Sequence, residues 1–213
     1  MRIGLFGGTF NPIHWGHLLT AQEVMERQNL DEIWLIPNGR PPHRLVVDAT
    51  PEDRYLMTHL ACLEHPRFKV SRIELEASTR SYSYQTVSRL KQEFPAHTFF
   101  FITGADAVQN YVWRNFDELL GDAGGFLVSS RPGFDWARLD EKLALEQLSH
   151  RAKIHYLELP LLEISSTRIR NQVQTGRSIH FYVPRAVQDY IAKRGLYREE
   201  EASPPVTKSC REN

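Results

Sequence analysis

The sequence predicts an α/β protein, a Rossmann-like doubly wound parallel sheet with a small C-terminal helical part, and three observations point there. Short apolar runs alternate with segments of helical periodicity from the first residue onward. Most of those runs are rich in Ile, Val, Phe or Leu, as strands are. No internal repeat and no linker-like shift in composition interrupts the alternation before the last residues.

Strands are expected over 2–6, 32–36, 68–75, 98–103, 125–129 and 153–157. Between the first two, Leu18, Ala21 and Met25 share one helical face. Thr50 as cap and Pro51 as first helical residue open the second helix. Further helices are expected over 84–93, 117–120, 139–148 and 166–174; a last one, 184–193, has Val183, Val187, Tyr190 and Ile191 as its apolar face. Residues 1–197 are therefore expected to form one domain, with 160–197 as its helical part. The polar, proline-bearing segment 198–213 is expected to be disordered. The turn-rich loop 37–50, containing GRPPHR, is long for a compact domain, and loops of that length are often functional.

A chain of 213 residues, 41% hydrophobic and 24% charged, buries enough apolar surface to fold without disulfide staples. Lys plus Arg and Asp plus Glu number 26 each, so no global field draws the protein to nucleic acid or anionic lipid. An anionic ligand must be gripped by local geometry. There is no basic stripe with interleaved aromatics to suggest a nucleic-acid face. No run reaches the roughly 18 to 20 apolar residues of a membrane span, and MRIGLFGG lacks the apolar core of a signal peptide. Cys62, in an apolar helical stretch, and Cys210, in the tail, read as two thiols rather than a bridge, so a reducing cytoplasm is the expected location. The oligomeric state stays open, a homo-oligomer included.

The chemistry starts after the first strand, where Phe6 is followed by Gly7, Gly8, Thr9, Phe10, Asn11, Pro12, Ile13, His14, Trp15, Gly16 and His17. In open parallel sheets ligands bind beyond the carboxyl ends of the strands, and Gly7 and Gly8 let backbone amides approach phosphates. Neither the dinucleotide fingerprint GxGxxG nor a P-loop is present. His14 and His17, three apart at a helix start, project to one side and join the helix dipole in favouring anionic oxygens. A phosphoryl clamp is the leading reading. A turn with incidental histidines and a pair of metal ligands remain alternatives, the latter without an evident third or fourth ligand. A second anchor is EISSTRIR over 163–170. It suits a helix N-cap, and the hydroxyls of Ser166 and Thr167, the free helix amides and the Arg168 guanidinium also make a polyphosphate receptor.

These segments carry a resemblance. GGTFNPIHWGH looks like the opening motif of the nucleotidyltransferases whose HxGH signature binds ATP, and is similar to that of bacterial nicotinate-nucleotide adenylyltransferases. ISSTRIR resembles the family's ISSTxIR phosphate motif, PNGRPPHR its substrate loop, GAD over 104–106 its adenosine-side turn, SYSYQTV its SYTxDT pattern and VPRAVQDYIAKRGLY its ending. The likeness covers roughly residues 1–197. It departs at Asn11 and Gln85, where aspartate is common, at Arg44 for lysine and at Ser83 for threonine. Cytidylyltransferases and pantetheine-phosphate adenylyltransferases share the histidine motif but not this combination.

The resemblance implies adenylyl transfer from ATP to nicotinate mononucleotide, giving deamido-NAD and pyrophosphate, with Mg2+ accompanying ATP. It places His14, His17 and Arg168 in catalysis, and Gly7, Gly8, Thr9, Phe10, Gly104, Asp106, Ser165, Ser166, Thr167 and Arg168 around ATP. Asn38, His43, Arg44, Ser83, Tyr84 and Trp113 fall near the mononucleotide. Two rival readings are nicotinamide mononucleotide as the preferred acceptor and a nucleotide-binding sensor without turnover.

Overall fold

The computed structural model describes residues 1–39, 49–76, 82–160 and 162–198. The expected disorder of 198–213, and Cys210 with it, falls almost wholly outside the described residues. Six strands, β1 (Arg2–Gly8), β2 (Glu32–Pro37), β3 (Phe68–Val70), β4 (Thr98–Gly104), β5 (Gly125–Ser130) and β6 (Ile154–Glu158), form one sheet. Every pairing is parallel, and the order is β3-β2-β1-β4-β5-β6. The chain winds outward one way from β1 and then returns to β4 on its other side, so the topological switch point lies between β1 and β4.

Period-two alternation of buried side chains feeds two cores. Ile3, Leu5, Phe99, Phe101, Phe126 and Val128 face one layer, and Phe6, Ile33, Leu35, Phe100, Ile102 and Leu127 face the other. The second of these packs under α1 (Trp15–Arg27), α2 (Pro51–Cys62), α7 (Ser166–Gln174) and α8 (Arg185–Arg194). The first packs under α3 (Ser83–Glu93), α4 (Ala105–Asn110), α5 (Phe116–Asp122) and α6 (Trp136–Leu145). Helix stripes supply the matching apolar faces: Leu18, Ala21, Val24 and Met25 on α1, and Val187 and Ile191 on α8. Cys62 is buried at the end of α2, where desolvation pushes its thiol up to about 12.

Three elements differ from the sequence expectation, one of them only in position: the helix expected over 139–148 is α6 at Trp136–Leu145. The run 68–75 is a strand only as far as Val70, after which the chain turns inward. A Cβ at Gly39 would collide with the Glu74 carbonyl, so the turn packs directly against the end of β2. Helix α4 was not expected at all. It has six residues, no side-chain cap, and only Ala105 and Val108 buried, too little periodicity to stand out.

The C-terminal helix is moored to α2 by polar contacts. Thr50 caps α2 by accepting from the Asp53 amide at 3.1 Å, and its hydroxyl donates to the Asp53 carboxylate at 2.6 Å. The same carboxylate accepts from Tyr190 at 2.8 Å and from Arg194 at 3.2 Å. Burial alone would raise the pKa of Asp53, but the hydrogen bonds from Thr50, Tyr190 and Arg194 outweigh it and hold the carboxyl below its ordinary value. After Arg194 the helix ends in Gly195, whose φ of 63° is the left-handed conformation glycine adopts freely.

Replacing this carboxylate by an amide weakens a buried, charge-assisted network. We expect Asp53→Asn to cost about 1–3 kcal/mol at pH 7 by denaturant unfolding. A carboxyl with a depressed folded pKa contributes above its unfolded pKa of about 4, so the gap to wild type closes as pH falls through the folded value.

Candidate active site

The loop leaving β1 is shaped by one aromatic ring. Phe10 has a left-handed φ of 46° and is buried. Its ring lies across Gly8, where a Cβ would come within 2.7 Å of it. The ring then meets His17 edge-on, centroids 5.1 Å apart, with Phe6 behind it at 5.8 Å. Gly8 therefore has a packing reason as well as the phosphate reason inferred from the sequence, and Phe10 backs a histidine.

His14 is the N-cap of α1, not a residue within it. Its Nδ1 accepts the His17 amide at a long 3.4 Å, and the two imidazoles stack with centroids 3.7 Å apart and planes 21° from parallel. An accepting Nδ1 puts the His14 proton on Nε2, leaving that nitrogen as a donor. Gly16 makes the stack possible, since a Cβ there would lie 3.1 Å from the His14 ring. Desolvation brings the His14 pKa down to about 4. Desolvation first, and the neighbouring His14 second, push His17 well below its ordinary value. Both rings are neutral near pH 7, each with one N–H to give.

The second anchor meets the first. Ser165 caps α7 by accepting from the Arg168 amide at 3.2 Å. Ser166 donates its hydroxyl to the Pro12 carbonyl at 2.8 Å, and Arg170 donates to the Asn11 carbonyl at 2.9 Å. The Ile164 carbonyl lies 3.6 Å from where a Gly16 Cβ would be. Trp15 donates its amide to the Tyr182 carbonyl at 3.1 Å, and the Arg168 guanidinium lies over the Tyr182 ring at 5.3 Å. The Ser166 hydroxyl, read from the sequence as a phosphate donor, instead holds the two segments together. Its amide and that of Thr167 remain at the open start of α7. Asn11, where the family commonly has aspartate, is buried and accepts from the Tyr197 hydroxyl at 2.8 Å.

On the β4 side of the switch point, Gly104 ends the strand exposed, and Asp106 is exposed in the first turn of α4. Ser83 is the first residue of α3, which no side chain caps among the described residues, and Tyr84 is half-buried after it. Tyr82 at the cap position stacks on Tyr84 at 6.2 Å and lies under the Arg114 guanidinium at 4.9 Å. Trp113 is half-buried and packs on Phe101, Phe116 and Phe126, donating to the Ala107 carbonyl at 3.3 Å. The Phe101 ring is itself 3.7 Å from where a Gly7 Cβ would be, so Trp113 stands one ring away from the first glycine. Asn38 joins the loops by donating its amide to the Gly8 carbonyl at 2.9 Å. His43 and Arg44 lie outside the described residues.

Sequence reasoning missed Arg54, Arg170 and Tyr197. Arg54 had a signal: it precedes Met57, Thr58 and Ala61 by three, four and seven residues, on the buried stripe of α2. A charge on that stripe needs polar partners inside the protein.

The depressed histidine pKa values set a pH dependence in the unliganded protein. A base that protonates more readily when unfolded weakens the fold as pH falls from about 6.5, its ordinary value, toward the folded value near 4 for His14. We expect the His14 ring resonances to show no titration between pH 5.5 and 8 by NMR. An inflection near 6.5 would contradict the buried neutral stack.

Comparison with known proteins places the chain in a family. A family model described as cytidylyltransferase-like matches residues 5–172. A Moorella thermoacetica protein whose curated name is "Probable nicotinate-nucleotide adenylyltransferase" is 43% identical over 202 residues, covering 92% of each chain. One of the same name from Thermus thermophilus is 43% identical over 198 residues, covering 93% of this chain and all of that one. A Plasmodium falciparum nicotinic acid mononucleotide adenylyltransferase complexed with NaAD superposes with a TM-score of 0.72 at 21% identity, covering 92% of this chain and 97% of that one, which shows the shared fold. With a family model matched over most of its length and relatives this similar from end to end, the chain belongs to the nicotinate-nucleotide adenylyltransferase family, within the cytidylyltransferase-like nucleotidyltransferases.

Proposed function

We propose that the protein transfers the adenylyl group of ATP to nicotinate mononucleotide, forming deamido-NAD and pyrophosphate in NAD biosynthesis. The observation that carries this reading is the neutral His14–His17 stack held against the N-terminus of α7 at the carboxyl end of β1. That end of the sheet gathers donors for a triphosphate: the histidine Nε2–H, the first amides of α7 and the exposed Arg168. Membership of the family and the curated names of its similar members support the same activity.

The acceptor phosphate is ionised near pH 7, so neither a general base nor a protein nucleophile is needed. One of its oxygens attacks the α-phosphorus of ATP, the bond from that phosphorus to the bridging oxygen breaks, and pyrophosphate leaves with the electron pair. His14 and His17 donate to α-phosphate oxygens as charge redistributes, while Thr9, Ser165, Thr167 and Arg168 border the triphosphate. Phe10 holds the His17 ring in place. Gly104 and Asp106 stand on the adenosine side. We assign Asn38, Ser83, Tyr84 and Trp113 to the mononucleotide, the tryptophan to its cationic pyridine ring, and extend the assignment to His43 and Arg44, which lie outside the described residues.

Among the described residues no cluster of three His, Cys, Asp or Glu side chains is placed to ligate a metal. We take a divalent ion to travel with ATP, held chiefly by phosphate and water oxygens. Mg2+ bound with ATP would supply charge neutralisation at the leaving pyrophosphate. Among the described residues no helix is long and apolar enough to cross a membrane. We propose residues 1–197 as the catalytic domain and, from the two unbridged thiols read in the sequence, the cytoplasm as its location.

Pyrophosphate release should be measured with ATP, Mg2+ and either mononucleotide. We expect turnover with the nicotinate form and much weaker use of the neutral amide, because donors arranged for a carboxylate are left underpaired by an amide. His17→Ala should lose roughly 100- to 1,000-fold in turnover, the usual effect of deleting a transition-state donor. Equal efficiency on the two acceptors would reverse the substrate assignment, and wild-type turnover by a folded His17→Ala variant would remove the histidine from catalysis.

A further inference from the structure

We infer that Arg54 is a positioning residue that sets both substrate loops from one buried point. The inference rests on the functional reading above, in which the loop after β1 serves ATP and the loop after β2 serves the mononucleotide. Arg54 lies on α2 and is only 1% exposed. One terminal nitrogen donates to the Thr9 carbonyl at 2.8 Å. The other donates to the Asn38 carbonyl at 2.6 Å and to that of Gly39 at 3.2 Å. Thr9 sits between Gly8 and the Phe10 that backs His17, while Asn38 and Gly39 are the last described residues before the loop containing His43 and Arg44.

An ordinary structural role does not account for this placement. Burying a guanidinium is costly, and a buried arginine normally meets a carboxylate. All of Arg54's acceptors among the described residues are main-chain carbonyls, two from one loop and one from the other. Its sequence neighbour Asp53 is engaged by Thr50, Tyr190 and Arg194. Main-chain acceptors mean that the guanidinium fixes backbone, not side chains. A Cβ at Gly39 would also collide with the Glu74 carbonyl, so the residue whose carbonyl Arg54 holds is packed directly against that turn. A lysine at this position, a point charge without the planar fork, cannot hold both loops in the same registration.

A residue tied to one loop alters the handling of one substrate; a residue tied to both alters both together. The test is steady-state kinetics of Arg54→Lys and Arg54→Gln beside a core variant, Val24→Ala, chosen for a comparable loss in melting temperature. KM for ATP and KM for nicotinate mononucleotide should rise together in each Arg54 variant by about tenfold or more, within the roughly hundredfold that a 1 Å misplacement costs. Val24→Ala should leave both constants near wild type. Millimolar guanidinium should restore part of the activity of Arg54→Ala by refilling the vacated position. Wild-type constants in the Arg54 variants, a change for one substrate only, or an equal change in Val24→Ala would each overturn the proposal. Failure of the wild-type protein itself to turn over this substrate pair would refute the functional reading instead, so the two failures are distinguishable.

Discussion

The geometry of the site depends on a short polar seam between two segments more than 150 residues apart. Ser166 donates to the Pro12 carbonyl and Arg170 to the Asn11 carbonyl, so the first and second residues after Phe10 are held by the docked start of α7. The bonds within the loop are not enough to fix its shape. It contains a left-handed phenylalanine, and its histidine cap is joined to the helix amide by a bond of 3.4 Å. Tyr197 adds a third hold through the Asn11 side chain, which extends the seam to the end of α8.

The seam also explains why so many polar groups are buried around a site meant for a charged ligand. Asn11, Asp53 and Arg54 are each nearly inaccessible, and each is matched to backbone, hydroxyl or guanidinium partners inside the protein. They form the frame. The groups left to meet substrate are of a different kind: neutral imidazoles, helix-start amides and an exposed guanidinium. Neutral donors in a desolvated setting stabilise developing negative charge without a competing counter-ion.

The order of elements was legible because strand and helix periods differ and because the sheet is buried on both faces, which leaves apolar runs such as 99–102 unbroken. The histidine motif and ISSTRIR were legible for a similar reason, since helix starts need caps and glycines need a cause. Other features were not, because they are decided by contacts across the chain. Nothing local distinguishes Ser165, a cap, from Ser166, a cross-link. Gly8 looks like a phosphate-loop glycine until the Phe10 ring is seen lying over it. Helix α4 and the early end of β3 escaped because each involves only a few residues and is fixed by neighbours, α4 by burial of Ala105 and Val108 and β3 by the turn onto Gly39. Arg54 was readable in hindsight as a charge on an apolar stripe, but its three acceptors were not.

The central claim is spatial: one polyphosphate lies between the start of α1 and the start of α7. A crystal structure of the protein soaked with a non-hydrolysable ATP analogue tests it most directly. The account predicts α-phosphate oxygens within hydrogen-bond distance of His14 or His17, and the outer phosphates against the Thr167 amide and Arg168. A triphosphate bound instead on the Trp113 face of the sheet, with both imidazoles untouched, would contradict it.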